Sequence, residues 1–335
     1  MDVLKVGVVG AGAMGSLFGG YLCAGGHDVW LIDTWAEHVQ AIGQRGLVII
    51  EPSGEERVVR PRAASAPAAA GPCDLVLIFV KSYHTEAAAV SLGPLLRSDT
   101  VVLTLQNGLG NVDVLARHVP RRHLMAGTTG HGANVLGPGR IHHAGIGATV
   151  IGELDGVSSA RLHRLVDAFN AAGLPCSSSP NVLSVLWGKL LVNVAINPLT
   201  AILRVRNGRL LELPEALEIM RSAVEEGAAV ARRAGVEIPI ADPWAHVQEV
   251  ARLTAANRSS MLQDIEARRR TEIDVISGAV AREAERVGMT VPVNRALAAL
   301  VKCLEALGQR DAGTSASGAP ADADRGRPAD RPPGS

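Results

Sequence analysis

The sequence predicts an α/β fold: an N-terminal doubly wound parallel sheet followed by an all-helical C-terminal domain. Three observations carry that expectation. Short apolar, β-branched runs at Val3 to Val9, Asp28 to Ile32, Asp74 to Val80 and Val101 to Leu105 alternate with helical stretches, the pattern of βαβ units. A Gly-x-Gly-x-x-Gly run directly follows the first of them. From Val182 to about Leu307 the pattern turns helical and strand signals nearly vanish. A length of 335 residues suits two domains, placed at 1–180 and 181–308.

Each element has its own signal. Val3 to Val9 is a continuous apolar run, as expected of a strand buried on both faces. Ala13 to Ala24 reads as a helix stopped by Gly25-Gly26. The second strand leads into a helix from Trp35 to Gln44, ended by Arg45-Gly46. Leu47 to Ile50 and Arg57 to Arg60 read as a hairpin around Pro52-Ser53-Gly54. Pro61 to Pro72 reads as an Ala/Pro linker, and Thr85 to Leu96 as helical. Residues 309–335 contain almost nothing apolar to bury and read as a disordered tail.

Composition excludes some function classes. With 33 basic and 33 acidic residues, no net field draws the chain to nucleic acid or to a membrane surface. The apolar stretch Leu190 to Leu203 contains Asn193, Asn197 and Pro198, and is too short and polar to span a bilayer. Cys23, Cys73, Cys176 and Cys303 are scattered, with no C-x-x-C pair and no His at ligand spacing. They read as buried free thiols, no metal site is expected, and the expected location is the cytoplasm. Only four of the 33 basic residues are lysines, Lys5, Lys81, Lys189 and Lys302. A lysine in an apolar segment therefore stands out, because a buried lysine can lose its proton and an arginine cannot.

Gly10-Ala11-Gly12-Ala13-Met14-Gly15 has the context of a dinucleotide-binding loop, after a strand and at the start of a helix. Gly10 permits the tight turn, Gly12 lets the backbone approach a pyrophosphate, and Gly15 lets helix and strand pack closely. The helix N-terminus adds free N–H groups and partial positive charge. This makes the N-terminal sheet Rossmann-type. Asp33 ends the second strand, where a carboxylate takes the ribose hydroxyls and repels a 2′-phosphate. It favours NAD(H), with NADP(H) as the alternative; the competing reading is that Asp33 only caps the next helix.

In the helical half, Lys189, Asn193 and Asn197 are spaced i, i+4, i+8 in an otherwise apolar segment. They span only about 80° of a helix face, a polar stripe that faces either a site or water. Pro198 is expected to kink or end that helix. A second polar cluster is Asn257, Ser259-Ser260-Met261 and Thr271-Glu272-Ile273-Asp274. In one straight helix Ser260 and Glu272 would be about 18 Å apart. Thr271-x-x-Asp274 reads as a capping box, so a break near Arg268 to Arg270 would let the two converge. Taken alone, this cluster reads as a surface helix with Glu272 solvated.

Together these motifs resemble the ketopantoate reductase (2-dehydropantoate 2-reductase) family over residues 1 to about 307. They are the glycine loop, Lys81, Gln106-Asn107-Gly108, Lys189-x-x-x-Asn193-x-x-x-Asn197-Pro-Leu-Thr-Ala, Asn207-Gly208, Ser259-Ser-Met-Leu-Gln-Asp264 and Thr271-Glu-Ile-Asp274. The resemblance implies reduction of the ketone of a small 2-oxo acid, ketopantoate, by a nicotinamide cofactor. It implies Lys189 as catalytic acid and Glu272 as a catalytic residue orienting substrate and cofactor. Asn107, Asn193, Asn197, Asn207 and Ser260 would bind substrate, and Lys81, Asn107, Ala133 and Glu272 would meet the cofactor. Two positions depart from the family pattern: Asp33 stands where NADP-using members commonly carry Arg, and Ser277-Gly278 replaces Asn-Gly. The competing expectations are a relative acting on another 2-oxo acid and a non-catalytic dinucleotide-binding protein. Oligomeric state is left open, a homodimer being compatible with the sequence.

Overall fold

The computed structural model describes residues 2–316. The N-terminal part runs β1 (Lys5–Val9), α1 (Ala13–Ala24), β2 (Asp28–Ile32), α2 (Ala36–Arg45), β3 (Leu47–Ile50), β4 (Glu56–Val59), β5 (Arg62–Ala64) and β6 (Leu75–Ile78). It continues through α3 (Thr85–Ser91), β7 (Val101–Thr104), α4 (Asn111–Leu115), β8 (Leu124–Thr129), β9 (Gly132–Gly137), β10 (Arg140–Gly145), β11 (Thr149–Glu153), α5 (Ala160–Ala171) and β12 (Cys176–Ser178). The rest is helical: α6 (Val182–Leu203), α7 (Pro214–Arg233), α8 (Pro243–Leu253), α9 (Ser260–Glu266), α10 (Ser277–Arg286) and α11 (Pro292–Ala316).

The main sheet has eight strands in the order β12-β11-β8-β7-β6-β1-β2-β5. From β5 to β8 every neighbouring pair is parallel, while β11 runs antiparallel to β8. The order reverses at β1, with β2 on one side and β6 on the other. That switch point opens a crevice beyond the strand ends, and the glycine loop lies there. The hairpin β3–β4 is present, but it belongs to a second sheet, β4-β3-β10-β9.

Three expectations need correction. The segment 61–72 is not a bare linker: Arg62–Ala64 pairs with β2 as the sheet edge, and Pro67–Ala69 is a 3₁₀ turn. Three residues have too little apolar pattern to signal a strand; the exposed edge of β2 recruits them. The sequence predicts a disordered tail from 309, yet α11 continues to Ala316. Propagating a helix already formed adds a hydrogen bond per residue without a new nucleus. The remainder of that tail, 317–335, lies outside the described residues. The cysteines are free, but only Cys73 is buried, Cys23 and Cys176 are partly covered and Cys303 is exposed.

The C-terminal part wraps its helices around α6, whose Val194 and Ala195 are completely buried. Pro198 neither ends nor stops this helix, which continues to Leu203. Proline removes one backbone donor. Tight packing of α6 on its neighbours keeps the turn helical despite that loss. Val182–Leu203 is long and apolar enough to cross a membrane by composition, but about 72% of its most apolar window is buried in the protein. It is the core of a helical bundle. Leu109, from the loop after β7, also packs into that core, so the sheet half is keyed into the helical half.

Candidate active site

The sheet half contributes a backbone cradle. Gly10 has φ +94°, and a Cβ there would collide with the Val80 backbone. A Cβ on Gly15 would strike the Gly10 carbonyl, so α1 can lie against β1 only with glycine there. Gly12 caps α1, and a Cβ on it would meet nothing within 4 Å. The first turn of α1 has no side-chain cap and no acidic residue. Ala11 therefore lies on the loop, and Ala13 and Met14 in the first turn of α1, where free N–H groups fit a pyrophosphate. Asp33 follows β2 and accepts a hydrogen bond from Trp35 N at 2.9 Å through Oδ1. It makes a local turn, whereas the residue capping α2 is Trp35.

Across the crevice, two segments of the helical half meet the loops after β6 and β7. Helix α9 ends at Glu266, Arg268 takes φ +54°, and Arg269 N bonds back to Asp264 O at 2.8 Å. The chain thus breaks where expected and turns back. Glu272, buried at 7% exposure, accepts from Ser82 N at 3.0 Å and from Asn107 Nδ2 at 3.4 Å. Lys81 Nζ lies 3.8 Å from Glu272 Oε2 and donates to Asp264 Oδ2 at 2.5 Å. Burial alone would lower the Lys81 pKa, but Glu272 and Asp264 together hold it above the ordinary lysine value. Glu272 is therefore a buried pin between the two halves.

The capping box is not formed. Thr271 Oγ1 accepts from Ile273 N at 3.2 Å, and Asp274 pairs with Lys302 and Arg270. Asp274 does not cap, because the Thr271 N–H it would accept from donates to Glu305 Oε1 at 2.6 Å, and α10 begins only at Ser277. Ser277 is fully buried in its first turn.

Lys189 lies on α6 and donates to Thr129 O, at the end of β8, across a 2.9 Å bond. Burial pushes its pKa down to about 8, and Glu272 partly opposes that drop. One turn along, Asn193 has a buried Nδ2 with no partner. Asn197, one turn further, is buried at 7% exposure. Thr200 Oγ1 donates to Ser259 Oγ at 2.7 Å, and Ser259 caps α9, so the start of α9 is pinned to the end of this stripe. Ser260, the first residue of α9, is exposed. Asn207 is buried, donates to Thr254 Oγ1 at 3.0 Å, and leaves Oδ1 unpartnered. Its N–H reaches Asn257 O, which ties it to the segment leading into Ser259 and Ser260. Ala133 lies on β9 opposite His143, two residues beyond the turn from Thr129 to His131.

Known families match both halves. The family described as Ketopantoate reductase PanE/ApbA matches residues 6–156, and its C-terminal counterpart, Ketopantoate reductase PanE/ApbA C terminal, matches residues 181–305. The chain belongs to the ketopantoate reductase family. A 2-dehydropantoate 2-reductase of Halobacterium salinarum is 41% identical over 308 residues, covering 92% of this chain and 100% of the relative. One from Archaeoglobus fulgidus is 36% identical, covering 91% and 99%. Among solved structures, a ketopantoate reductase from Ralstonia eutropha superposes with TM-score 0.84 at 37% identity, covering 91% and 99%. A D-mandelate dehydrogenase bound to NADH and anilino(oxo)acetate gives 0.86 at 32% identity, again covering 91% and 99%.

Within this ketopantoate reductase fold, three contributors were not foreseen in the sequence. Asp264 pairs with Lys81, the Thr129 carbonyl holds Lys189, and Ser82 N holds Glu272. Asp264 lay inside a motif already singled out. The other two are backbone groups, and main-chain atoms carry no residue-type signal.

Proposed function

We propose that this chain is a 2-dehydropantoate 2-reductase that reduces the ketone of ketopantoate to the hydroxyl of pantoate, with NADH favoured over NADPH. The observation that carries this is Lys189: a partly buried ammonium with its pKa near 8, one helical turn from an unpartnered amide donor. A nicotinamide cofactor, when bound, would supply the hydride for the carbonyl carbon. Residues 1–180 hold that cofactor. The loop from Gly10 to Gly15 takes the pyrophosphate, Asp33 takes the ribose through its second carboxylate oxygen, and Lys81, Asn107, Ala133 and Glu272 lie toward the nicotinamide end.

Residues 181–308 hold the substrate and perform the proton chemistry. Charge developing on the carbonyl oxygen takes a proton from Lys189 Nζ. An acid with a pKa close to the working pH both holds its proton and releases it readily. Asn193, Asn197, Ser260 and Asn107 offer neutral donors to the substrate carboxylate and hydroxyl, and Asn207 Oδ1 offers an acceptor to the hydroxyl, without another charge in the site. Glu272, pinned between Ser82 and Asn107, orients the halves and keeps the Lys189 ammonium from losing its proton too early.

A second reading is reduction of another 2-oxo acid, which the likeness to D-mandelate dehydrogenase favours. Steady-state kinetics decide both questions. We expect kcat/KM to be highest for ketopantoate in a panel of 2-oxo acids, and higher with NADH than with NADPH. A better substrate elsewhere in the panel overturns the first statement, and an NADPH preference the second. The expected setting is the cytoplasm, with a small-molecule substrate as partner.

A further inference from the structure

A buried polar chain lies behind the β8–β9 turn and has no part in the chemistry above. Glu51 pairs with Arg57 Nε at 3.2 Å and accepts from Tyr21 Oη at 2.6 Å. Tyr21 Oη lies 3.0 Å from His143 Nδ1, and His143 Nε2 lies 3.0 Å from His131 Nδ1. His131 Nε2 is buried with no partner. Glu51, Tyr21, His143 and His131 are each at most 8% exposed.

The proton positions follow from the charge at one end. A carboxylate can only accept, so the single Tyr21 hydroxyl proton points to Glu51. Burial, and then Glu51, also raise the Tyr21 pKa, so the phenol keeps that proton. Tyr21 can then only accept from His143, which must carry its proton on Nδ1. His143 Nε2 is left as an acceptor, so His131 must also carry its proton on Nδ1. The last atom, His131 Nε2, is a bare lone pair. An orphaned buried N–H is the rarer and costlier alternative, and this polarity avoids it.

Thr129 precedes His131 by two residues, and its carbonyl is the acceptor for Lys189. Ala133 follows by two. His131 N–H also bonds Thr129 Oγ1 at 3.2 Å. We propose that His131 and His143, with tautomers set by Glu51 through Tyr21, are positioning residues that hold the 129–133 turn so that the Thr129 carbonyl stays on the Lys189 amine. The inference rests on Lys189 being the acid. The titratable and charged groups converging here are Tyr21 from α1, Glu51 after β3, Arg57 from β4, His143 from β10 and Lys189 from α6, with Glu272 facing Lys189.

Two measurements test it. Long-range ¹H–¹⁵N spectra of the histidine-labelled protein at pH 7, assigned with His131→Gln and His143→Gln, should show both rings as Nδ1–H. Free imidazole side chains favour Nε2–H, so an Nε2–H signal from either ring overturns the proposal. Tyr21→Phe keeps the ring and removes the acceptor. It should lower kcat about tenfold. The alkaline limb of the kcat profile should move to lower pH, because Lys189 loses the bond that favours its charged form. An unshifted limb overturns the proposal while leaving Lys189 as acid, provided Lys189→Ala is inactive. If Tyr21→Phe does not fold, Glu51→Gln, which keeps the shape but removes the charge and turns one carboxylate oxygen into an N–H donor, should move the limb the same way by less. An unshifted limb there counts equally against it.

Discussion

The two walls of the crevice are made of different material. The sheet-side wall for the cofactor is mostly backbone: glycines that a Cβ would jam, and the uncapped N-terminus of α1. The helical wall is mostly side chains: Lys189, the asparagine stripe and Glu272. Backbone dipoles are fixed in sign and do not titrate, which suits a cofactor whose phosphates are always charged. A proton donor must titrate, which only a side chain can do. The difference implies that damage to one wall should alter binding and damage to the other should alter turnover.

The largest effect should come from Lys189→Ala. Loss of a general acid removes roughly 10² to 10⁴ in kcat, about 3 to 5 kcal/mol, while the dissociation constant for NADH stays near the parent value. In the parent enzyme kcat should be sustained below pH 8 and fall above it, because the proposed acid, Lys189, can donate only while protonated and its pKa is about 8. Turnover near the parent level in the variant, or a flat profile to pH 10, breaks the assignment.

Gly10→Ala attacks the other wall. A Cβ at φ +94° against the Val80 backbone should destabilise the fold by roughly 2 to 3 kcal/mol and weaken NADH binding. Urea unfolding and a cofactor titration measure the two; an unchanged midpoint would show that the loop relaxes freely. Glu272→Gln straddles the walls. Removing its charge should lower kcat about tenfold and move the alkaline limb below pH 8, since Glu272 now raises the Lys189 pKa. A limb moving upward would reverse the inferred sign of that coupling. Asp33→Ala should act least, raising the ratio of NADPH to NADH efficiency roughly fivefold, about 1 kcal/mol, with kcat unchanged. An unchanged ratio would leave Asp33 with only its turn-forming bond to Trp35.

The ease of reading the two walls from sequence differs for the same reason. The glycine loop is contiguous, and each glycine answers a local steric demand, so its strand–loop–helix context was legible. The Lys189 stripe was legible because one helix repeats at fixed period. Glu272 was not, since its partners Ser82, Asn107 and Lys81 are remote in sequence. Without the family resemblance it reads as a solvated surface carboxylate, which its burial contradicts. Strand β5 and the second sheet's β9 and β10 were also missed, because their pairing depends on neighbours and not on their own pattern.

The sequence by itself determined the βαβ periodicity, the switch to helices near residue 180, the phosphate-fitting turn and the polar stripe on α6. All are local, set by steric limits at single residues or by helix and strand periods. Only the tertiary structure decided that α6 continues through Pro198, that Asp264 and Glu272 meet at Lys81, and that a backbone carbonyl from β8 holds Lys189. Those depend on burial and on groups remote in the chain, because removal from water and a nearby countercharge, rather than residue type, set what a buried lysine or glutamate can do.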